Sequence, residues 1–293
     1  IDVVTSVDGL INLDTLKIDS ASMDSSNLAK FLVPSLTQVS LLGLSSDLLP
    51  QSFLRLAKLE SLEIRDSHFV SNIPSFNHSS QLAYLNISNN PILQTWDPVS
   101  NAAFTKLQTL IVTNNAALTS LPLFSNTSSL TSVNIQYTSI TSLWSAFTNC
   151  TSIKELIIRN NPALNFLPRY LLQASGFTSF DIRFNNLSLP GSLDGISGLK
   201  LSQISLEGNS MKTVPTGFCQ LNRPLLSSIS LFNNNLTVIP SCIGNYYNVR
   251  SLNLSSAGPA TSIPSAIQNL VLVENLDLSR LTALTSLPTT LAN

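Results

Sequence analysis

One nine-residue pattern recurs along almost the whole chain and restricts the possible folds more than any other feature. The pattern is L-x-x-L-x-L-x-x-N, as in LAYLNISNN at 82–90 and LSSISLFNN at 226–234. A repeat of this length predicts a solenoid, in which each repeat forms one coil that buries its apolar side chains only against neighbouring coils. The pattern begins at twelve positions that lie 23 to 25 residues apart: Leu13, Leu36, Leu59, Leu82, Leu107, Leu130, Ile153, Phe177, Leu201, Leu226, Val249 and Val273.

The central x-L-x-L-x segment of each repeat alternates with a period of two, which predicts one short strand whose alternate side chains face inward. Because every repeat runs in the same direction, the strands should be parallel and should stack at about 4.8 Å. We therefore expect an α/β repeat solenoid, right-handed and curved, with a parallel concave sheet and a convex side of irregular or short-helix segments. Apolar residues six positions before a repeat start predict a second, convex apolar row: Phe53, Phe76, Phe124, Phe147, Leu171, Ile243 and Ile267.

The ninth position of the pattern is asparagine in six repeats, where the chain turns sharply away from the strand. A short amide side chain there can donate to and accept from backbone groups that have no strand partner. We interpret this column as structural rather than as a polar active site. Its members are Asn90, Asn115, Asn161, Asn185, Asn209 and Asn234.

The composition argues against two classes of partner. Only 11% of the residues are charged, the formal net charge is −1, and no run of Lys or Arg occurs. The chain therefore lacks the positive surface that binds nucleic acid or anionic lipid. Its longest apolar runs are also far shorter than the roughly 20 residues that cross a bilayer.

The sequence contains no catalytic or metal-binding signature. We find no G-x-S-x-G, no phosphate-binding G-x-x-x-x-G-K-S/T and no G-x-G-x-x-G. The histidines, His68 and His78, have no second His, Cys or carboxylate at ligand spacing. We therefore expect neither enzymatic activity nor a bound metal or cofactor.

The three cysteines have different settings. Cys219 and Cys242 lie 23 residues apart, and each precedes the next repeat start by seven residues. Equivalent positions of adjacent coils are close enough for a disulfide bond, so a bridge between them is possible. The alternative is a pair of buried thiols that fill space in the convex row. Cys150 has no counterpart and is expected to be a free, partly buried thiol.

Seven N-x-S/T sequons are candidate glycosylation sites. With 29 Asn, 46 Ser and 23 Thr in the chain, this number is what chance alone provides. All seven can be placed at the surface of a solenoid, and the low content of charged residues favours an extracellular or cell-surface location. The sequon residues are Asn77, Asn86, Asn126, Asn149, Asn186, Asn235 and Asn253.

The outward positions of the concave strands form the candidate ligand-binding face. Between the fifth and tenth repeats they concentrate arginine, aromatic and apolar residues, which are common in interface hot spots. Glycans at Asn86 and Asn253 would obstruct the two flanks of this window. The alternative is that the aromatics are scattered surface residues and that the arginines pair with nearby carboxylates, at Glu155, Asp181 and Glu207. The predicted ligand-binding residues are Tyr137, Ile157, Arg159, Arg183, Phe184 and Phe232.

Residues 13–293 resemble the leucine-rich repeat family. Extracellular plant members carry L-x-G-x-I-P after the asparagine, whereas this chain has LTSLP at 118–122 and 284–288. The N-x-L-T-S-L-P style is similar to ectodomains of leucine-rich repeat receptor-like kinases from other eukaryotes, such as oomycetes. The resemblance implies an extracellular recognition module of a cell-surface receptor that binds a protein, peptide or glycan. The alternative is a secreted inhibitor or a wall-associated interaction protein.

Both ends of the sequence have the pattern of a half repeat. VTSVDGLINL at 4–13 is similar to LTSLPTTLAN at 284–293, and no cysteine cluster typical of a capped end occurs. We therefore expect residues 1–293 to be one leucine-rich repeat domain, and a fragment of a longer protein without its native caps. A membrane-spanning tether would then lie outside this segment.

Overall fold

The computed structural model describes residues 9–19, 23–45, 49–68, 73, 80–96, 104–124, 127–143, 146–172, 176–189 and 191–289. The chain divides into two compact units, residues 1–153 and residues 154–293.

The first unit contains a parallel sheet in which each strand pairs with the next one along the chain. An α-helix, α1 (Ser25–Phe31), follows the first strand and is capped by Asp24, whose side chain accepts a hydrogen bond from the Asn27 backbone N–H. A 3₁₀ helix covers Gln51–Arg55. The strands are β1 (Thr15–Asp19), β2 (Gln38–Leu42), β3 (Ser61–Arg65), β4 (Tyr84–Ser88), β5 (Thr109–Asn115) and β6 (Ser132–Thr138).

The second unit repeats this plan with shorter strands and more 3₁₀ helices. Strand β7 (Glu155–Arg159) pairs in parallel with β8 (Ser179–Asp181). Four further parallel strands pair in chain order: β9 (Gln203–Ser205), β10 (Ser228–Ser230), β11 (Ser251–Asn253) and β12 (Asn275–Asp277). The 3₁₀ helices cover Arg169–Leu172, Asp194–Gly198, Thr216–Gln220, Ser241–Asn245 and Ser265–Asn269.

The strand register confirms the predicted coils. Leu62 lies beside Leu85 and Leu85 beside Leu110, so each repeat places the same leucine against its neighbour. These three side chains are completely buried. In all twelve repeats the central segment, for which the sequence predicts a strand, contains one of the strands β1 to β12. The fold is a parallel leucine-rich repeat solenoid, as the spacing predicts.

The ninth-position asparagines bond across coils as the sequence predicts. The backbone N–H of Asn90 donates to Oδ1 of Asn115 at 3.0 Å, and the Nδ2 of Asn90 donates to the Ile64 carbonyl at 3.1 Å. The same arrangement joins Asn161 to Asn185, also at 3.0 Å. These amides satisfy backbone groups that the turn removes from the strand ladder, which supports a structural role for the column.

A second apolar row lies behind the sheet. Phe53, Phe124 and Phe147 are almost completely buried, and so are Leu171, Ile243 and Ile267. The rings of Phe124 and Phe147 stack with centroids 5.4 Å apart. Stacked and edge-on rings add favourable contacts to the burial of apolar area, so the aromatic residues help to join successive coils. Phe76 lies outside the described residues.

Inward and outward positions on one strand differ sharply in burial. Leu156 is fully buried, whereas Ile157 beside it is only half-buried. We expect Leu156→Asp to prevent folding, because it buries an unpaired charge, whereas Ile157→Asp should change the free energy of unfolding by less than about 1 kcal/mol. Circular dichroism during urea denaturation measures both variants. A stable, cooperatively folded Leu156→Asp chain would contradict the inward assignment.

Candidate ligand-binding face

The second unit presents five of the predicted ligand-binding residues. We call these five residues, together with the neighbouring carboxylates Asp181 and Glu207, the strand face. About a third of the Arg159 and Arg183 side chains is exposed, Phe184 is 38% exposed, and Ile157 and Phe232 are half-buried. The residues of the strand face are Ile157, Arg159, Asp181, Arg183, Phe184, Glu207 and Phe232.

Asp181 is the centre of an ionic network on the strand face. Its carboxylate accepts two hydrogen bonds from the Arg183 guanidinium, from Nε and from an Nη, both at 2.9 Å. The Arg159 guanidinium donates to the same carboxylate at 3.2 Å, and Arg183 also lies 3.6 Å from Glu207. The bidentate geometry holds the planar guanidinium of Arg183 in one orientation. Both arginines are thus paired with carboxylates, Arg159 with Asp181 of the next coil and Arg183 with Asp181 of its own coil and Glu207 of the next, as the alternative interpretation of the sequence states.

The electrostatics of the network follow from this geometry. Burial by itself raises the pKa of Asp181. Hydrogen bonds from the Arg183 side chain and backbone, together with the charges of Arg183 and Arg159, outweigh burial, and the pKa lies below its ordinary value of 3.8. The hydrogen bonds to Asp181 also raise the pKa of Arg183. Asp181 is therefore a charged anchor for both arginines at neutral pH.

Phe184 adopts an unusual backbone conformation beside this network. Its φ is 56°, in the left-handed region that bulky side chains rarely adopt. Its ring covers Gly208 on the next coil, so closely that a Cβ at Gly208 would collide with the ring. Gly208 itself has a φ of 64°. The glycine is thus required twice, for its backbone conformation and for the space that the Phe184 ring occupies.

The conformation of Phe184 belongs to a position that the sequence analysis missed. The eighth residue of the repeat has a φ between 49° and 67° in eleven consecutive repeats. The enrichment of Asn, Asp and Gly at this position was the available signal, because these residues tolerate left-handed backbone best. We call these residues the eighth-position row: Gly43, Asp66, Asn89, Asn114, Tyr137, Asn160, Phe184, Gly208, Asn233, Ser256 and Arg280.

Tyr137, the sixth predicted ligand-binding residue, lies in the first unit. It is 51% exposed and has a φ of 54°, so it is a second aromatic member of the eighth-position row. In a left-handed conformation an ordinary side chain costs roughly 1–2 kcal/mol relative to glycine. Because the ring is half-exposed, burial offsets only part of this cost.

A continuous polar network crosses the sheet of the first unit. The Tyr84 hydroxyl donates to Glu63 at 3.3 Å, the Asn86 amide donates to the Tyr84 hydroxyl at 3.4 Å, and the Ser88 hydroxyl donates to Asn86. Burial raises the pKa of Tyr84. Asn86 is only 8% exposed. The expectation that this sequon lies at the surface is therefore corrected, because its amide is packed inside the network.

The other sequons are placed differently. Asn149 and Asn235 are exposed, whereas Asn186 and Asn253 are half-buried. The Oδ1 of Asn253 accepts hydrogen bonds from the backbone and hydroxyl of Ser255, the third residue of its own sequon. Asn77 and Asn126 lie outside the described residues.

The cysteines behave as two classes. Cys219 and Cys242 form a disulfide whose Cα atoms are 5.5 Å apart, and it joins two successive 3₁₀ helices. Cys150 is a buried free thiol that donates to the Phe124 carbonyl. Burial raises the pKa of Cys150 to about 11, so this thiol is protonated at neutral pH.

The described residues include neither a candidate metal site nor a helix that could span a membrane. No group of three or more His, Cys, Asp or Glu side chains is placed to hold a metal ion. Within the same residues, every helix is too short or too polar to cross a membrane.

Comparisons with known proteins bear on the fold. No protein-family model and no curated protein sequence matches the chain. Solved structures do match. An internalin from Listeria monocytogenes matches with a TM-score of 0.65 and 18% identity, over 93% of this chain and 77% of that one. The leucine-rich repeat ectodomain of the Arabidopsis thaliana receptor kinase GASSHO1/SCHENGEN3 matches with a TM-score of 0.62 and 20% identity, over 95% of this chain.

The chain has the leucine-rich repeat fold. A third match, Toll from Drosophila in its complex with Spatzle, has a TM-score of 0.61 and 21% identity over 96% of this chain. This leucine-rich repeat chain spans 35% of the Arabidopsis receptor chain and 39% of the Toll chain. At these identities the likeness concerns the fold alone.

Acid should weaken the leucine-rich repeat fold through Asp181. Because the pKa of Asp181 is lower in the folded chain than in the unfolded chain, its stabilising contribution is fully present above its ordinary value of 3.8. The contribution is lost as the pH falls through the lower, folded-state pKa. We expect Asp181→Asn to be less stable than the wild type at pH 6 and to lose less stability below pH 4. Urea midpoints measured over this range check the difference, and parallel pH profiles would contradict it.

The disulfide should contribute measurably to stability. It closes a loop of 23 residues, which corresponds to about 3 kcal/mol in the loop-entropy model. We expect the double variant Cys219→Ser/Cys242→Ser to lose about that much free energy of unfolding, and the wild type to lose the same under reductant.

Peptide mapping without reduction detects the disulfide bond directly. Cys150→Ala is the matched control, because it should leave the linked peptides unchanged. Recovery of both cysteines as free thiols, in protein made in an oxidising compartment, would contradict the bridge.

Proposed function

We propose that this chain is an extracellular recognition module of a cell-surface receptor, and that the strand face of its second unit binds a protein or peptide ligand. The module is non-enzymatic in this proposal, and residues 1–293 form one repeat domain because the repeat spacing continues without a break in the sequence.

The observation that carries the proposal is the set of exposed, pre-oriented side chains on the strand face. Asp181 holds Arg183 by two hydrogen bonds and Arg159 by a third, so both guanidinium groups are oriented before a ligand arrives. Binding then costs less side-chain entropy than it would with freely rotating arginines. The network does not remove the arginines from solvent, because about a third of each side chain is exposed.

The aromatic residues of the strand face supply the apolar part of the surface. Phe184 is 38% exposed in a left-handed conformation, a cost that a glycine or asparagine at the same position would avoid. Strained, exposed residues of this kind are found preferentially at functional sites. An aromatic ring beside oriented arginines has the composition of an interface hot spot.

Two solved relatives support a protein or peptide ligand. The Arabidopsis ectodomain was solved in complex with CASPARIAN STRIP INTEGRITY FACTOR 2, and Toll in complex with Spatzle. The Arabidopsis protein is a membrane receptor kinase. For the present chain, the receptor role is distinguished from a secreted inhibitor or a wall-associated protein by the complete open reading frame. A membrane-spanning helix after this segment supports the receptor, and a stop codon soon after it supports the alternative.

A displayed random peptide library, selected on the chain, tests the strand face. We expect enriched peptides to lose at least about fivefold in affinity, or roughly 1 kcal/mol, with Arg159→Ala/Arg183→Ala and with Phe232→Ser. Surface plasmon resonance measures the affinities.

Arg250→Ala is the matched control for the arginine variants, because Arg250 is also paired with a carboxylate but lies outside the strand face. Unchanged affinity in the strand-face variants, with circular dichroism showing folded protein, would place the ligand elsewhere.

A further inference from the structure

The eighth-position row of the first unit contains an exposed ladder of hydrogen-bonded side chains. The Nδ2 of Asn89 donates to Oδ1 of Asp66 at 2.8 Å, and the Nδ2 of Asn114 donates to Oδ1 of Asn89 at 2.7 Å. All three side chains are exposed. This ladder is separate from the ninth-position asparagines, which bond to backbone, as Asn90 does, and are buried except for the half-buried Asn234. The ladder therefore orders a line of polar groups at the surface.

The chemistry of this line is repetitive. An amide side chain has two N–H donors and an oxygen with two lone pairs. Asn89 uses one donor and one lone pair within the ladder, so one donor and one lone pair of this exposed amide are left for a ligand. Its neighbours lie one strand spacing away on either side, about 4.8 Å. The surface thus offers alternating donors and acceptors at a regular interval, which is what a row of hydroxyl groups complements.

Tyr137 occupies the next position of this line. Thr113 pairs with Gln136 in the sheet, which places Tyr137 beside Asn114 in the eighth-position row. The tyrosine is 51% exposed at a φ of 54°. An asparagine at this position would relieve the left-handed backbone and would continue the ladder. Among the described residues the Tyr137 hydroxyl has no hydrogen-bond partner, so the folded chain gains little from this ring.

We propose that Asp66, Asn89, Asn114 and Tyr137 form a binding site for a neutral, linear oligosaccharide. One sugar ring stacks its C–H face on Tyr137, and the hydroxyls of the following sugars bond to the two amides and the Asp66 carboxylate. Asp66, Asn89 and Asn114 are polar, so only Tyr137 could pack against an apolar side chain of a peptide. Asp66 is the only charged member, and it accepts hydroxyl hydrogens but disfavours an anionic ligand. This oligosaccharide site lies in the first unit and does not depend on the strand face of the second.

The test uses the whole chain and three neutral probes: cellohexaose, laminarihexaose and hexa-N-acetylchitohexaose. Isothermal titration calorimetry should show binding of at least one of them to the wild type. We expect Tyr137→Asn to weaken this binding at least tenfold and to raise Tm by about 2 °C, because it removes the ring and relieves the backbone. If the ring had only a structural role, Tyr137→Asn would lower Tm. Weaker binding together with a higher Tm therefore indicates a binding role.

Two further variants complete the design. Asn114→Asp keeps the shape of the side chain and its tolerance of left-handed backbone but removes the donor to Asn89. We expect it to weaken oligosaccharide binding at least tenfold. Arg280→Asn is the matched control, because Arg280 has a φ of 58° at the same repeat position in the second unit. It should leave oligosaccharide affinity unchanged, as should Arg159→Ala/Arg183→Ala, which separates this site from the strand face.

Three outcomes would overturn the proposal. One is that the wild type binds none of the three probes. Another is that Tyr137→Asn lowers Tm along with affinity, which would make the ring a structural element. The third is that displayed peptides, and no oligosaccharide, depend on Tyr137, which would assign the row to a peptide ligand.

Discussion

Each coil of this chain depends on contact with the coil beside it, because a single strand with its return segment cannot bury its own leucines. The parallel register places Leu62, Leu85 and Leu110 side by side, and all three are fully buried. The ninth-position asparagines then bond to backbone groups of the preceding coil, as Asn90 does to Ile64. Apolar stacking supplies most of the favourable free energy. The amides make the turn compatible with a buried backbone.

This dependence explains where the chain can vary. An inward leucine is restricted by the coil on either side, whereas an outward residue contacts only its neighbours on the strand surface. The outward positions accordingly carry a charged network around Asp181 in the second unit and a polar network around Tyr84 in the first. Both surfaces can change without loss of the fold, which is the property that a recognition scaffold needs.

The eighth-position row lies where the chain turns away from the strand in eleven consecutive repeats. The turn demands left-handed backbone, so asparagine, aspartate and glycine are the residues that fit it best. Tyr137 and Phe184 depart from that preference, and both are exposed. Each ring leaves a third or more of its residue's surface exposed, and both our proposals therefore include a member of this row.

The sequence by itself determined the number of strands, their direction, their register and the buried rows. A spacing of 23 to 25 residues combined with a period of two leaves one arrangement in which every leucine faces inward. It also pointed to Arg159 and Arg183 as outward residues, with Asp181 among the carboxylates available to pair with them. The proximity of Cys219 and Cys242 followed from the same spacing.

Only the tertiary structure decided which neighbours each outward side chain meets. The burial of Asn86 depends on Tyr84 and Ser88, the position of the Phe184 ring depends on the absence of a side chain at Gly208, and Arg183 is oriented by two hydrogen bonds to one carboxylate. Each of these contacts joins side chains whose rotamers are free in the sequence pattern. The repeat determines that such residues are neighbours, but their bonding depends on atomic distances, which a pattern of residue types does not contain.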